Sequence, residues 1–438
     1  MTGRPILLVL LDGVADRPSD ELGGATPLEA APTPTLDRLA REGASGTVYP
    51  IEPGLVPPSE TPHFHLFGYA AFPFPGRAVL EALGHGVDVP VGAVVTHAGL
   101  RQVTPSPSHG FAISKWWPRA DGEECRALLD AVASFEAEGV RLSLRPLDYG
   151  DALLTIDGGH EAVTDSDPFF FTGWPVLRVE RLEEADDPEA AARTARALNG
   201  YLTWSHRVLE GHPVNAARRA RGARPMNMLV TKWTGRRRPL PPFERRAGVS
   251  GVLIASTPVY AGLAALLGMR FVGVAEREDD PEKEAAEKLD AAIEAIRAGA
   301  GFVHLHTKAA DEAAHARSPA LKREVIAAID RGLAGLFRWA ERGEAVLAVT
   351  ADHATPSLGP MLHAGDSVPI AVSAGTVRRD AVATFGERSA VAGALGQLRA
   401  RDVLPVLLNL ADRARFLGGR PAPDTGLGLP RVTPLRPA

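Results

Sequence analysis

The sequence predicts an α/β fold: a mostly parallel sheet with helices on both faces, interrupted by an inserted α+β domain. Two observations carry this. Short apolar runs recur at PILLVLL (5–11), GVLIAST (251–257), FVGVA (271–275), FVHLH (302–306), AVLAVTA (345–351) and VPIAVSA (368–374), the length and composition of buried strands. Between several of them lie segments such as PEKEAAEKLDAAIEAIRAG (281–299) and LKREVIAAIDRGLAGLFRWAERG (321–343). Their apolar residues return every three or four positions, the period of a helix buried along one stripe. Alternation of the two patterns is the mark of a parallel sheet.

The chain has 438 residues, and one core rarely grows beyond ~250–300 residues, so a second domain is expected. The texture changes between about 96 and 235, with TPSPSHGFAISKWWPRADG (104–122), the aromatic run DPFFFTGWP (167–175) and an Ala/Arg-rich helix near 187–200. We read 1–95 and 236–418 as one discontinuous catalytic domain and 96–235 as an insertion covering its site. Residues 419–438 form a Pro/Gly-rich tail. Trp116 and Trp117 are expected to pack in a core or between domains.

Composition excludes several function classes. With 45% hydrophobic and 23% charged residues this is an ordinary globular profile. A net charge of −5 argues against a nucleic-acid partner, which needs a basic face. No run approaches the ~20 apolar residues of a membrane span, and the six apolar residues before Asp12 are too few for a signal peptide. One cysteine, Cys125, excludes an internal disulfide and fits a reducing, cytoplasmic compartment. Its expected place is a buried packing position.

Polar residues of one chemical kind follow the strand-like runs. Asp12 ends the first, Lys308 and Asp311 follow FVHLH, and Asp352 with His353 follows AVLAVT. In α/β sheets ligands gather at the carboxyl ends of strands. Asp311 and His315 are four apart, so on a helix they share a face and can grip one cation. His363, in MLHAGDSVPI, adds a third imidazole. Three carboxylates and three imidazoles suit zinc or manganese and suffice for two ions. Ser59, in PGLVPPSETPHFHLFGY (53–69), is the candidate nucleophile, since coordination to a divalent cation lowers a hydroxyl pKa. Phosphoryl transfer is the reaction this arrangement serves best.

Around these residues the chain carries, in order, LLDGVADRP (10–18), LGGATPLEAAPTPTLDRLAREGASG (22–46), GRAVLEALGHGVDV (76–89), HPVNAARRARGARPMN (212–227), HLHTKAADEAAH (304–315), TADHATP (350–356) and HAGDSVPI (363–370). In that order the chain resembles the alkaline phosphatase superfamily and, within it, the archaeal-type cofactor-independent phosphoglycerate mutases. The resemblance implies an alkaline-phosphatase-like sheet. It also implies one ion held by Asp311, His315 and His363, a second by Asp12, Ser59, Asp352 and His353, and no requirement for 2,3-bisphosphoglycerate. Ser59 would take the phosphoryl group and return it to the other hydroxyl of a glycerate, interconverting 3- and 2-phosphoglycerate. Lys308 matches a lysine of the family placed beside the phosphoryl group.

Other positions depart from the family. The nucleophile loop reads Pro58-Ser59-Glu60-Thr61-Pro62-His63 where Gly-Ser-Asp-Thr-Ala-His is usual. His97 and Gly99 replace an arginine and an asparagine, Lys232 and Trp233 replace Arg-Gly, and Phe169 follows DSDP where histidine is common. His63, His97 and Lys232 are therefore the expected substrate-binding residues, and Arg77 the expected brace of its loop. An arginine fork is not freely exchanged for another cation, so the chemistry is expected to be intact and the substrate pocket altered; the expected partner is a small phosphorylated carboxylate, with 3-phosphoglycerate the default. The alternatives are a phosphohydrolase or mutase acting on another phospho- or phosphonocarboxylate, and a non-catalytic metal-binding relative. Oligomeric state is left open.

Overall fold

The computed structural model describes residues 3–414 and 435–437 except 109, 116–121, 170–171, 278 and 338–343. Trp116, Trp117 and most of the tail at 419–438 thus lie outside the described residues. The chain divides into two compact units, residues 1–74 with 240–438, and residues 75–239. In chain order the described strands are β1 (Ile6–Leu11), β2 (Ala44–Tyr49), β3 (Val94–Ser106), β4 (Gly110–Lys115), β5 (Ser134–Ala137), β6 (Val140–Pro146) and β7 (Asp151–Asp157). There follow β8 (Met228–Arg236), β9 (Gly251–Ala255), β10 (Arg270–Gly273), β11 (Phe302–Thr307), β12 (Val346–Thr350), β13 (Val368–Ser373) and β14 (Gly396–Arg399).

The first unit is built on an eight-stranded sheet of order β10-β9-β11-β1-β12-β13-β2-β14. β10, β9, β11, β1 and β12 all run parallel. β13 runs antiparallel to both β12 and β2, and β14 pairs parallel with β2, so the sheet is mostly parallel as expected. β1 lies between β11 and β12, with Leu8 opposite both His304 and Ala348, and its six residues are buried throughout. That explains the unbroken apolar run ILLVLL, since a central parallel strand has no solvent face. Helices Pro281–Arg297, Pro258–Leu267 and Pro34–Arg41 pack against the sheet.

Two features of this sheet are not written in the apolar runs. β2 (ASGTVY) and β14 (GQLR) contain too few large apolar residues to read as strands, yet they complete one edge. The segment expected to be one helix over 321–343 is helical over Pro319–Gly332, followed by a 3-10 turn at Leu333–Gly335.

The second unit holds a six-stranded antiparallel sheet of order β4-β3-β7-β6-β5, with β8 also paired to β3. Helices Gly122–Asp130 and Pro188–Glu210 close a core in which Leu100, Leu128, Leu142, Leu154, Leu198 and Tyr201 are buried. Helix Arg77–Gly84 packs against β3 and β8. Cys125 is buried in this core.

One buried cation ties together the loops that matter most. Lys322, on helix Pro319–Gly332, is completely buried. Its Nζ donates to the Ala15 carbonyl (3.0 Å), the Thr355 carbonyl (2.8 Å) and Asp16 Oδ2 (3.1 Å). The segments following β1 and β12 are thereby held at a fixed separation. Replacing Lys322→Met would leave the Asp16 carboxylate without its buried counter-charge and the Thr355 carbonyl without the lysine donor, while Ala15 and Asp16 keep only backbone amides as partners. We expect a loss of about 3–5 kcal/mol, read as a lower urea midpoint of the first unit's transition.

Candidate metal centre

β11, β1 and β12 are neighbours and run the same way, so the residues that follow them emerge side by side. Asp12 extends β1 by one step, its N–H donating to the Thr307 carbonyl at 3.0 Å. Asp311 sits in helix Ala309–His315, which starts directly after β11, and His315 Nε2 lies one turn on at 3.3 Å from Asp311 Oδ2. After β12, Asp352 Oδ1 accepts from the Gly13 N–H (3.1 Å) and the His353 N–H (3.0 Å). That bond locks the ends of β1 and β12 together. Gly13 has φ +60°, and a Cβ there would meet Thr355 Oγ1 at 2.4 Å and Asp311 Oδ1 at 2.8 Å. Only glycine permits so close an approach.

The reversed direction of β13 brings in the last histidine. Because β13 is antiparallel to β12, the chain entering β13 lies beside the end of β12, and His363 is in that approach. Its Nδ1–H donates to the Pro57 carbonyl at 3.0 Å, and its Nε2 lies 3.8 Å from Asp311 Oδ1. The same bond holds the loop that carries Ser59. Ser59 begins helix Glu60–Leu66 and makes no side-chain cap. Its Oγ lies instead 3.0 Å from His353 Nε2. The His353 and His363 rings stack at 3.7 Å.

Two groups of donor atoms result: Asp311, His315 and His363, and Asp12, Asp311 and His353, each with its atoms within 4.8 Å of one another. Asp311 belongs to both. Asp12 Oδ1 and Asp352 Oδ2 are buried without a hydrogen-bond partner, a costly state unless another group satisfies them. Burial, and then the charge of Asp12, pushes the Asp352 carboxyl well above the usual carboxylate range. For Asp311 burial acts in the same direction, but the His315 hydrogen bond and the Lys308 charge outweigh it and hold the carboxyl well below. Burial, followed by the neighbouring His363, lowers His353 to about 3, so its imidazole is neutral and able to donate a lone pair. Carboxylates and neutral imidazoles facing one another with unsatisfied oxygens fit a divalent cation.

Lys308 Nζ reaches Asp311 Oδ2 at 3.2 Å. Burial disfavours its charge, but Asp12 and Asp311 raise its pKa above the ordinary lysine value, so it stands as a permanent cation at the edge of the cluster. His63 is fully buried, donates from Nδ1 to the Ser59 carbonyl at 2.7 Å, and is lowered to about 4 by burial. It holds the backbone of the serine loop from within. His97 and Lys232 belong to the second unit, opposite each other on β3 and β8. Both are buried there: Lys232 Nζ lies 3.9 Å from Asp167 Oδ2 and 3.9 Å from the Trp233 ring centroid, and His97 Nε2 lies 3.7 Å from Asp151 Oδ1. Burial depresses the Lys232 ammonium to about 8. Arg77 lies over the same Trp233 ring at 4.0 Å and pairs with Glu81 at 3.1 Å. Sequence reasoning did not single out His306, whose Nε2–H donates to Asp12 Oδ2 at 3.1 Å, or Thr355, whose hydroxyl donates to Asp311 Oδ1 at 2.8 Å. The one available signal was the unusual pair of histidines in the strand FVHLHT.

Residues 4–410 match the metalloenzyme superfamily. A 2,3-bisphosphoglycerate-independent phosphoglycerate mutase of Methanopyrus kandleri is 37% identical over 430 residues, 95% of this chain and 98% of that protein. The protein named 2,3-bisphosphoglycerate-independent phosphoglycerate mutase 2 in Methanocaldococcus jannaschii is 34% identical over 422 residues, 94% of this chain and 95% of that one. The chain belongs to the cofactor-independent phosphoglycerate mutase family. Among solved structures, a Pyrococcus horikoshii protein superposes with a TM-score of 0.76 at 29% identity, covering 96% of this chain and all of that one. The cofactor-independent phosphoglycerate mutase of Thermoplasma acidophilum gives 0.62 at 28% identity, covering 93% of this chain and all of that one. This member of the family brings acidic and imidazole donors together at the ends of β11, β1 and β12.

Because Asp311 is common to both donor groups, Asp311→Asn should weaken divalent-cation binding throughout the centre. We expect a loss exceeding the ~10–100-fold typical of removing a supporting hydrogen bond. His315→Ala, touching one group only, should spare part of the binding, and isothermal titration of the two variants separates the cases.

Proposed function

We propose that the protein is a metal-dependent phosphoglycerate mutase that interconverts 3-phosphoglycerate and 2-phosphoglycerate through a phosphorylated Ser59. The observation that carries the reading is the position of Ser59 Oγ, 3.0 Å from His353 Nε2 and free of any capping bond, within a convergent set of buried carboxylates and imidazoles. Family membership over nearly the whole chain supports the choice of substrate. One divalent ion held by Asp12, Ser59, Asp352 and His353 and another by Asp311, His315 and His363, manganese or zinc, would lower the pKa of a bound hydroxyl and neutralise phosphoryl charge.

The residues of the chain supply the rest. Ser59 gives up its hydroxyl proton and its Oγ attacks phosphorus in line, forming an Oγ–P bond as the bond from phosphorus to the 3-oxygen of glycerate breaks, and that oxygen takes up a proton in exchange for the one Ser59 released. The 2-hydroxyl of the same glycerate then loses its proton and attacks phosphorus, releasing Ser59 and giving 2-phosphoglycerate. Lys308, held charged by Asp12 and Asp311, is placed to offset charge on the transferring group. His63 fixes the carbonyl of Ser59, so the nucleophile approaches from one direction. The reading carries no need for 2,3-bisphosphoglycerate. It also carries a cytoplasmic location, which the single cysteine of the sequence supports. Among the described residues no helix is long and apolar enough to cross a membrane.

Incubation of the metal-loaded protein with 3-phosphoglycerate should yield 2-phosphoglycerate without free phosphate, followed by phosphorus NMR. Glycerate and inorganic phosphate as the products would instead make it a hydrolase and end the mutase reading. Ser59→Ala should lower turnover by on the order of 10⁴–10⁶-fold, the scale of losing a covalent nucleophile. Acid quenching of the wild-type reaction should trap phosphate on Ser59, detected by peptide mass spectrometry.

A further inference from the structure

The hydroxyl of Thr355 stands between the two donor groups, and its proton count settles a question that heavy-atom positions leave open. Thr355 is fully buried. Its N–H donates to the Ala15 carbonyl at 3.0 Å, and its own carbonyl accepts from Lys322 Nζ at 2.8 Å, so its backbone is held on both sides. Oγ1 lies 2.8 Å from Asp311 Oδ1 and 3.0 Å from His353 Nδ1. Gly13 makes the room, since a Cβ there would come within 2.4 Å of this oxygen.

A hydroxyl has one proton to give, and a carboxylate can only accept. The Asp311 carboxylate already lies 3.2 Å from Lys308 Nζ and 3.3 Å from His315 Nε2, an acceptor on every side. The Thr355 proton therefore points at Asp311, and a lone pair of Oγ1 faces His353. That lone pair is matched only when Nδ1 carries the imidazole proton. Nε2 is then bare, and Ser59 Oγ at 3.0 Å becomes the donor of the bond between them. Asp12 Oδ1 and Asp352 Oδ2, each 3.3 Å from Nε2, find no proton there, in accord with both being without a hydrogen-bond partner.

We propose that Thr355 is a positioning residue that fixes the His353 proton on Nδ1 and so keeps the Nε2 lone pair aimed at Ser59 and the surrounding carboxylate oxygens. The tautomer is imposed before any ion arrives. The Asp12 oxygen at 3.3 Å would otherwise draw a proton to Nε2, and an incoming cation would have to displace it. This deepens the proposed metal-ligand role of His353 and rests on it, while the proton position itself can be read without metal or substrate.

The test is long-range proton–nitrogen correlation NMR on metal-free protein labelled with ¹⁵N-histidine, with the His353 signal assigned by its loss in His353→Gln. The wild type should show the Nδ1–H form. Thr355→Val, which keeps the shape and removes the hydroxyl, should shift the population towards Nε2–H and weaken binding of zinc alone by about 10–100-fold in calorimetry. Thr355→Ser should restore the Nδ1–H form and bring the affinity back to within about threefold of wild type. An Nε2–H signal in the wild type would overturn the proposal, as would a Thr355→Val protein with unchanged tautomer and zinc affinity. If Thr355→Val does not fold, the wild-type signal together with Thr355→Ser still decides. A wrong tautomer leaves the Ser59 reading standing, because product formation is measured separately.

Discussion

Repulsion among carboxylates is the constraint around which the first unit is arranged. Asp12, Asp311 and Asp352 are all nearly or wholly removed from solvent, and they converge because β11, β1 and β12 are adjacent and parallel. Bringing like charges together in a dry place is unfavourable, and it persists only where the surrounding structure over-determines it. Here the over-determination is visible. The Gly13 and His353 amides hold Asp352, His306 holds Asp12, Thr355 and Lys308 hold Asp311, and Lys322 pins the two loops from behind. Each carboxylate has one oxygen or one direction anchored and another left facing its neighbours. That is the arrangement expected of a cation site whose first ligands are oriented by a second ring of hydrogen bonds.

The acidic cluster also organises charge farther out. Lys308 is kept protonated against its own burial by Asp12 and Asp311, whereas Lys232, in the second unit, loses more to burial than Asp167 returns. The two lysines are thus physically unlike although both are cations in the sequence. Burial likewise explains why His63, His304 and His306 are all held below the ordinary histidine range. Beneath the centre lies a floor of neutral imidazoles, which can orient their neighbours without adding net charge.

How much of this was legible in the sequence depends on what each residue needs. Asp12, Asp311, Asp352 and His353 follow apolar runs directly, and a strand that ends in a carboxylate is conspicuous in one dimension. His315 was legible through helical spacing, and Ser59 through its loop and the resemblance it carries. Thr355, Lys322 and His306 were not, since each acts on residues far away in the sequence: Lys322 on Ala15, His306 on Asp12. Nothing local marks a threonine two residues past a histidine as the partner of an aspartate forty-four positions earlier. The direction of β13 was equally hidden, because an apolar run has no sign. β2 and β14 escaped because small and polar residues suffice for strands whose burial comes from loops and helices around them. His63, four residues after Ser59, was read as a substrate contact, and the turn of helix that follows Ser59 carries it inside, where it holds the Ser59 carbonyl.

Asp311 lends an oxygen to both donor groups, and this has a thermodynamic corollary. Two occupancies that draw on the same carboxylate cannot be independent: whatever the first guest does to the grip on the second, the second must do in equal measure to the first. Ions proposed for the two groups would therefore be coupled, each changing the affinity for the other by the same factor.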